Sequence, residues 1–449
     1  MIRKLNFFKE TSIAPLVIFR IIFGAMMLLG TLRFISKGWV NDLYIQPQTY
    51  FGYLGFEWVK PLPGSWMYLP FILILLCALG VLLGYLYKYT APLLFISFSY
   101  IELLDKSNYL NHYYFISLIT FLLIFLPANR SFSLDVYFKK CSDIRLVPTW
   151  TIDILKFQLA IVYIFAGIAK LESEWLINAQ PLKIWLQAHR DMPVFGSLLK
   201  QDWVAYLFSW FGCIYDLFIV FFLMNKRTRP VAYSLVIVFH FVTWFLLPIG
   251  IFPWVMIFST LIFFSPSFHE KLLSKFNWKH KEESTVLRSN HRLVVALVSI
   301  YIVFQLFIPF RYLLYPGNLF WNEEGFRFSW RVMLMHKEGT ATFYVRDSIT
   351  KRETQIRNSD YLNKTQEDQM ATQPDMILQY AQFLKNKFKD STFIINNQTY
   401  KIDNPSIHAS IFVSLNGRPS QLFVDKNHDL SKISYNLAHR NWIEPFAEK

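Results

Sequence analysis

Charge is scarce in this chain. Asp, Glu, Lys and Arg make up 17% of its 449 residues, while 54% are hydrophobic and 18% aromatic. An ordinary soluble domain cannot cover its surface with so little polar material. Acidic residues are the scarcer sign, 31 against 45 basic ones. Cysteine is nearly missing. Cys77 and Cys213 fall in apolar runs, Cys141 falls in a basic stretch, and none follows Cys213. That leaves no disulfide framework and no zinc spacing, so no metal site is expected. No internal repeat marks the inverted halves of a transporter.

What the chain has instead is long apolar runs. Nine stretches approach the 17–25 residues that cross a bilayer as helices: roughly 15–35, 66–86, 88–103, 112–127, 152–170, 203–224, 231–247, 250–265 and 292–311. The pair around Pro248 and Pro253 also reads as one broken or re-entrant unit. The opening MIRKLNFFKE is short, basic and amphipathic, and no small-residue cleavage site follows it. It reads as an interfacial segment leading into an anchored first helix.

Basic residues sort by loop. Arg3, Lys4 and Lys9, Lys88, the 128–150 and 225–230 loops and the 266–292 loop hold most of them. The alternate loops hold Lys37, Lys60, Lys106, Lys183, Arg190 and Lys200. The first set is predicted cytoplasmic, and an odd span count then puts the C-terminal portion outside. The net charge of +14 thus sets topology and meets anionic lipid. The bilayer is the implied partner, and nucleic acid is not. The predicted fold is mainly α: a polytopic membrane bundle over 1–312, then a small α+β, β-rich extracytoplasmic domain over 313–449. In that domain Thr340 to Asp347, Ile407 to Leu415 and Ser420 to Asp425 read as strands, with Asn416-Gly417 as a type I′ turn. Pro374 to Phe388 reads as an amphipathic helix and 358–373 as a loop. The Asn-x-Thr triplets at Asn363 and Asn397 matter only in a eukaryotic secretory compartment.

A few polar groups interrupt the apolar runs. Lys170 ends the fifth, about 27 Å of helix from Ile152, at the outer boundary. Tyr163, Ala166 and Gly167 share its face, and small residues there admit a close neighbour. Asn111 and His112 open the fourth run at the same depth, and His240 lies midway along the seventh. Two readings stand side by side. Lys170 snorkels to headgroups, Asn111 and His112 cap a helix, His240 is a bonded core residue, Asp105 and Lys106 are loop charges, and Trp175 belongs to an interfacial belt. Alternatively, Lys170 is desolvated, is readily neutral and takes a proton from a weak acid such as a quinol. Asp216, inside the sixth run, is structural or part of a polar network.

Several stretches, in order, carry a resemblance. LLDKSNYLNHYYF (Leu103 to Phe115), PANRSFSLD (Pro127 to Asp135), FAGIAKLESEWL (Phe165 to Leu176), the Phe239 to Met256 segment ending IGIFPWVM, QLFIPFRYLLYPGN, GFRFSW and WIEPF resemble the vitamin K-dependent γ-glutamyl carboxylase family. The resemblance implies a membrane carbon-carbon lyase. Its reactive lysine corresponds to Lys170, which deprotonates reduced vitamin K (phylloquinol or menaquinol). O2 then converts the cofactor to its epoxide, and this drives γ-carboxylation of peptidyl glutamate with CO2. His112 corresponds to the active-site histidine, with Asn111 beside it. His240 and Tyr163 are candidate cofactor-pocket residues.

The pattern departs from the family at Ala169, which stands for a lysine, and at Arg331, which stands for an acidic residue. His336 is therefore not carried over. The long animal C-terminal extension and its cysteine bridge are missing, so animal-type propeptide binding does not carry over. The short form resembles bacterial members, implying an inner membrane, a periplasmic tail and menaquinone. A glutamate-containing protein on the outer side is the implied substrate. Two alternatives remain: a quinol epoxidase without carboxylation, and a non-catalytic membrane carrier or assembly protein.

Overall fold

A computed structural model describes residues 7–247, 249–276, 278, 291–395, 398–402 and 404–447. Residues 1–6 of the basic opening, Pro248, Lys279, Lys281, Arg288 and Asn397 lie outside the described residues. The principal helices of the first part are α1 (Ala14–Ser36), α2 (Tyr68–Leu83), α3 (Tyr87–Leu104), α4 (Asn111–Phe125), α5 (Trp150–Ala169), α6 (Asp202–Met224), α7 (Arg229–Leu246), α8 (Phe252–Ser259), α9 (Pro266–Ser274) and α10 (His291–Phe307).

Each of the nine apolar stretches falls on a helix, but not each is built to span. Among the described residues six helices are long and apolar enough, and the count becomes seven if α8 with its 3-10 extension and α9, bent by 106°, make one span. The others fall short for visible reasons. α3 carries Lys88, Thr90, Ser97, Ser99 and Glu102, and α4 has only 15 residues. The six spans make the chain an integral membrane protein. A short ribbon, β1 (Glu10–Ser12) with β2 (Leu146–Pro148), ties the start of α1 to the start of α5.

The tail is built on an antiparallel sheet in the order β4-β3-β7-β8, from β3 (Lys337–Asp347), β4 (Glu353–Ile356), β7 (Pro405–Leu415) and β8 (Gln421–Val424). A separate hairpin joins β5 (Ser391–Ile395) to β6 (Gln398–Ile402). β3 and β7 pair along their whole length, from Lys337 opposite Leu415 to Asp347 opposite Pro405. Alternate residues Phe343, Val345, Ile407, Ala409, Ile411 and Val413 are buried, as period-2 patterning requires. Asn416 and Gly417 both have positive φ, 52° and 75°, and Arg418 N donates to Leu415 O at 3.1 Å. This is the tight turn that Asn-Gly favours.

The 358–373 stretch is not all loop. It holds α11 (Lys364–Met370), started by a capping box in which Asn363 Oδ1 accepts from Gln366 N and Gln366 Oε1 accepts from Asn363 N. α12 (Pro374–Phe388) lays Ile377, Tyr380, Ala381 and Leu384 into the tail core, with the Tyr380 ring 4.9 Å from that of Phe343.

The tail docks on the end of the bundle that carries residues 105–111. Asp375, at the start of α12, accepts from Lys106 Nζ and from Arg327 Nη1, each at 2.6 Å. Lys106 Nζ also donates to Tyr435 Oη at 3.0 Å, and Gln366 Nε2 donates to Asp105 Oδ2 at 2.6 Å. Asp105 and Lys106 are therefore buried docking charges and not loop charges. The apolar packing continues through the junction, because Ala169, Trp175 and Leu246 belong to the same core as Phe343 and Ile377.

Burial alone would push the Asp375 carboxyl up, but Arg327 and Lys106 outweigh it and hold it well below the usual range. A depressed carboxyl gives its full stabilisation above the unfolded value of about 3.9, and loses it as pH falls through the folded value. Asp375→Ala strands two buried cations and should cost about 3–5 kcal/mol. Limited proteolysis should show the tail loosening at neutral pH in this variant. In the wild type it should loosen only on acidification below about pH 4.

Candidate functional site

The last turn of α5 aligns Tyr163, Ala166, Gly167 and Lys170. Gly167 is where α6 comes closest: a Cβ there would sit 2.7 Å from Leu217 N. That approach places the neighbouring Asp216 against Lys170. Lys170 Nζ donates to Asp216 Oδ2 at 2.7 Å and to Ala166 O at 3.3 Å. Lys170 is 6% exposed, so it turns into the protein and does not snorkel. Its neighbour Trp175 is also buried and does not sit in an interfacial belt. Trp175 Nε1 donates to Ser209 O at 2.9 Å, and the Ser209 hydroxyl donates back to Trp175 O. The Trp175 ring centroid lies 5.4 Å from the Lys170 amine. This reciprocal pair staples the segment after Lys170 onto α6.

α7 supplies the second polar pair. His240 Nε2 lies 3.0 Å from Tyr163 Oη, and Thr260 Oγ1 lies 3.4 Å from it on the other side. Thr260 donates its own proton to Met256 O at 2.7 Å. Tyr163 and His240 can thus hold their shared proton on either partner.

Both pairs line one cavity of about 110 Å³. Its polar groups are Lys170, Asp216, Tyr163, His240 and Thr243, and its apolar walls include Phe208, Phe239, Leu246, Phe252 and Met256. Apolar walls with a few convergent polar groups make a small-molecule site. The volume is small beside the about 300–1,000 Å³ usual for such sites. A ligand larger than a few atoms must widen it. Among the described residues, no group of three His, Cys, Asp or Glu side chains suits a metal ion.

Val332 and Met333 close the cavity on the tail side. They end a strap, 325–333, in which Gly325, Phe328, Trp330 and Met333 all have positive φ. Three of those are not glycine, and such backbone persists only where neighbours hold it. Phe328 N donates to Tyr109 Oη at 2.8 Å, and Arg331 Nη1 pairs with Glu172 at 2.6 Å. Burial pushes the Glu172 carboxyl up, against the pull of Arg331.

The five residues singled out from the sequence divide into two groups. Lys170, Tyr163 and His240 meet in the cavity. Asn111 and His112 do not line it, and neither caps α4, whose N-cap is Leu110 with no side-chain bond. Asn111 Nδ2 donates to Arg331 O at 3.2 Å, so it holds the strap. His112 is buried against Phe252, with ring centroids 5.7 Å apart, and Phe252 in turn lies 6.0 Å from His240. His336 sits elsewhere, between Trp185 Nε1 and Glu338 Oε1. Asp216 is the partner that sequence reading left unassigned. Its signal was a carboxylate inside an apolar run, which must find a cation or lose its charge.

Comparison with known families gives two matches. The HTTM domain matches residues 8–268, more than half of the chain. The lumenal domain of vitamin K-dependent gamma-carboxylase matches residues 290–449. No solved structure matches the chain.

The buried pair makes a stability prediction. Asp216→Leu or Lys170→Met alone leaves one uncompensated charge and should cost about 3–5 kcal/mol. The double variant removes both charges and should recover most of that loss. Thermal unfolding of all four proteins in one detergent completes the cycle. Additive losses would mean that the two side chains do not act as a pair.

Proposed function

Because the chain belongs to the vitamin K-dependent gamma-carboxylase family, we propose that the Lys170 cavity deprotonates a reduced vitamin K or menaquinol and that peptidyl-glutamate carboxylation is the output. The observation that carries this reading is the meeting of Lys170–Asp216 and Tyr163–His240 in one apolar cavity. The donor set suits a quinol head. Lys170, Tyr163 and His240 offer groups for its oxygens, and Phe239, Phe252 and Met256 offer apolar walls. When bound, the reduced quinone and O2 supply a base strength that no side chain has at neutral pH, so that a glutamate γ-proton can be removed and CO2 can add.

The chain's own part is smaller and local. Neutral Lys170 takes the phenolic proton at Nζ, and the Asp216 carboxylate holds the resulting ammonium. Asp216 is without a charged partner only while Lys170 is neutral, and it regains one when the proton arrives. Tyr163 orients the His240 ring through Nε2. The strap keeps water out, and Asn111 positions the strap through Arg331 O. On this reading the membrane portion runs to about residue 312, and an odd number of passes separates its two ends. The tail stands on the outer side of an inner membrane and meets the glutamate-bearing partner there. A lipid-soluble cofactor enters from the bilayer, and the cavity lies where the two media meet.

A second reading keeps quinol epoxidation and drops carboxylation. The observation in its favour is that His112 stands behind Phe252, outside the cavity lining.

One coupled assay tests both readings. Protein in nanodiscs is given reduced menaquinone, O2, a glutamyl peptide and labelled bicarbonate. Epoxide and fixed label should appear together, and Lys170→Ala should lower both by about 10²–10⁴-fold while the fold is kept. His112→Ala should reduce label at least as much as epoxide. Epoxide without label selects the second reading. Full epoxide formation in Lys170→Ala removes Lys170 as the base, and neither product from folded wild-type protein favours the carrier.

A further inference from the structure

A second cavity is larger than the one at Lys170. A groove of about 980 Å³ lies between α10, the second half of α4 and the start of α5. It shares no lining residue with the Lys170 cavity. Its walls are apolar. Phe121 and Leu122 of α4 face Leu297 and Phe304 of α10 across it. The rim residues Phe125, Leu293, Leu297 and Phe304 are more than half exposed. α10 is the least buried of the spanning helices, 11% of its apolar window. The groove therefore opens sideways, toward whatever surrounds the helices.

One end of the groove differs from the rest. Lys88 at the start of α3, Arg130 and Lys140 in the segment between α4 and α5, and Trp150 at the start of α5 line it there. None of the three cations is paired with a carboxylate among the described residues. Arg130 Nη1 donates to Ser142 Oγ at 3.1 Å, and Lys140 Nζ sits 4.2 Å from the Tyr85 ring centroid. The one acidic lining residue is already used. Asp135 accepts from Leu86 N, Tyr87 N and Asn129 Nδ2 at 2.8–3.1 Å. Trp150 Nε1 is buried and has no hydrogen-bond partner. A buried donor without a partner costs free energy unless a ligand accepts from it.

We propose that this groove binds an anionic phospholipid, with its acyl chains between α4 and α10 and its phosphate against Arg130, Lys140, Lys88 and the Trp150 indole. An apolar slot ended by three cations and one free N–H matches a molecule that is two apolar chains ended by an anion. An isoprenoid tail carries no charge for the cations. A packed partner helix would fill the slot and still leave the N–H and the cations unmet.

The test is thermal unfolding of delipidated full-length protein in a neutral detergent. Phosphatidylglycerol, phosphatidylcholine and inorganic phosphate are added separately. A ligand that binds only the folded protein raises Tm. Phosphatidylglycerol should raise it by several degrees, and phosphatidylcholine and phosphate should not. The Arg130→Gln/Lys140→Gln variant should lose the selective gain. Leu297→Trp, which fills the chain-binding part and leaves the cations in place, should lose it too. Equal gains from the two lipids, an equal gain from phosphate alone, or undiminished selectivity in the variants would each overturn the proposal.

Discussion

A lysine and a carboxylate held 2.7 Å apart in an apolar cavity govern the rest of the arrangement. Neither charge could be buried without the other. Bringing them together requires a backbone approach that only a glycine permits, at Gly167 against Leu217. Keeping them together requires α5 and α6 not to slide, and the Trp175–Ser209 staple holds them about two turns of α6 beyond the pair. The strap at 325–333 adds Val332 and Met333 to the cavity wall, with three non-glycine residues in left-handed backbone. The strap in turn needs fixed anchors. It takes them from Tyr109 and Asn111 at the start of α4 and from Glu172 just beyond α5.

The same logic explains why the tail is docked tightly. A strap that closes a cavity between two parts is only as fixed as the junction between them. That junction combines a continuous apolar core with a buried charge cluster around Asp375. The core gives adhesion without direction, and the charge cluster sets register, because each cation must find the one carboxylate. On the proposed reading this is also where a lipid-soluble reductant and a water-soluble peptide meet.

Much of this was legible in the sequence where it depends on local pattern. Apolar runs gave the helices, alternation gave β3 and β7, and Asn-Gly gave the turn from β7 to β8. Length and polarity decided which helices can span, and there α3, α4 and the broken α8–α9 pair fell short of the run count. α11 was overlooked because its residues are polar, although Asn363 and Gln366 carried the cap signal. The site was legible in part. One-face spacing put Tyr163 and Gly167 with Lys170. The pairing of Lys170 with Asp216, and of Tyr163 with His240, depends on how helices distant in sequence pack, and no periodicity encodes that. Depth along the axis grouped His112 with Lys170, but depth says nothing about rotation, and Phe252 stands in the way.

The central claim is that the Lys170 cavity is where the quinone head binds. The most direct measurement is photolabelling of the nanodisc-embedded protein with a photoreactive naphthoquinone, followed by peptide mapping. The account predicts label on 163–170 and 239–256, suppressed by excess reduced menaquinone. Label confined to other segments, or label at these two that excess quinol does not displace, would contradict it.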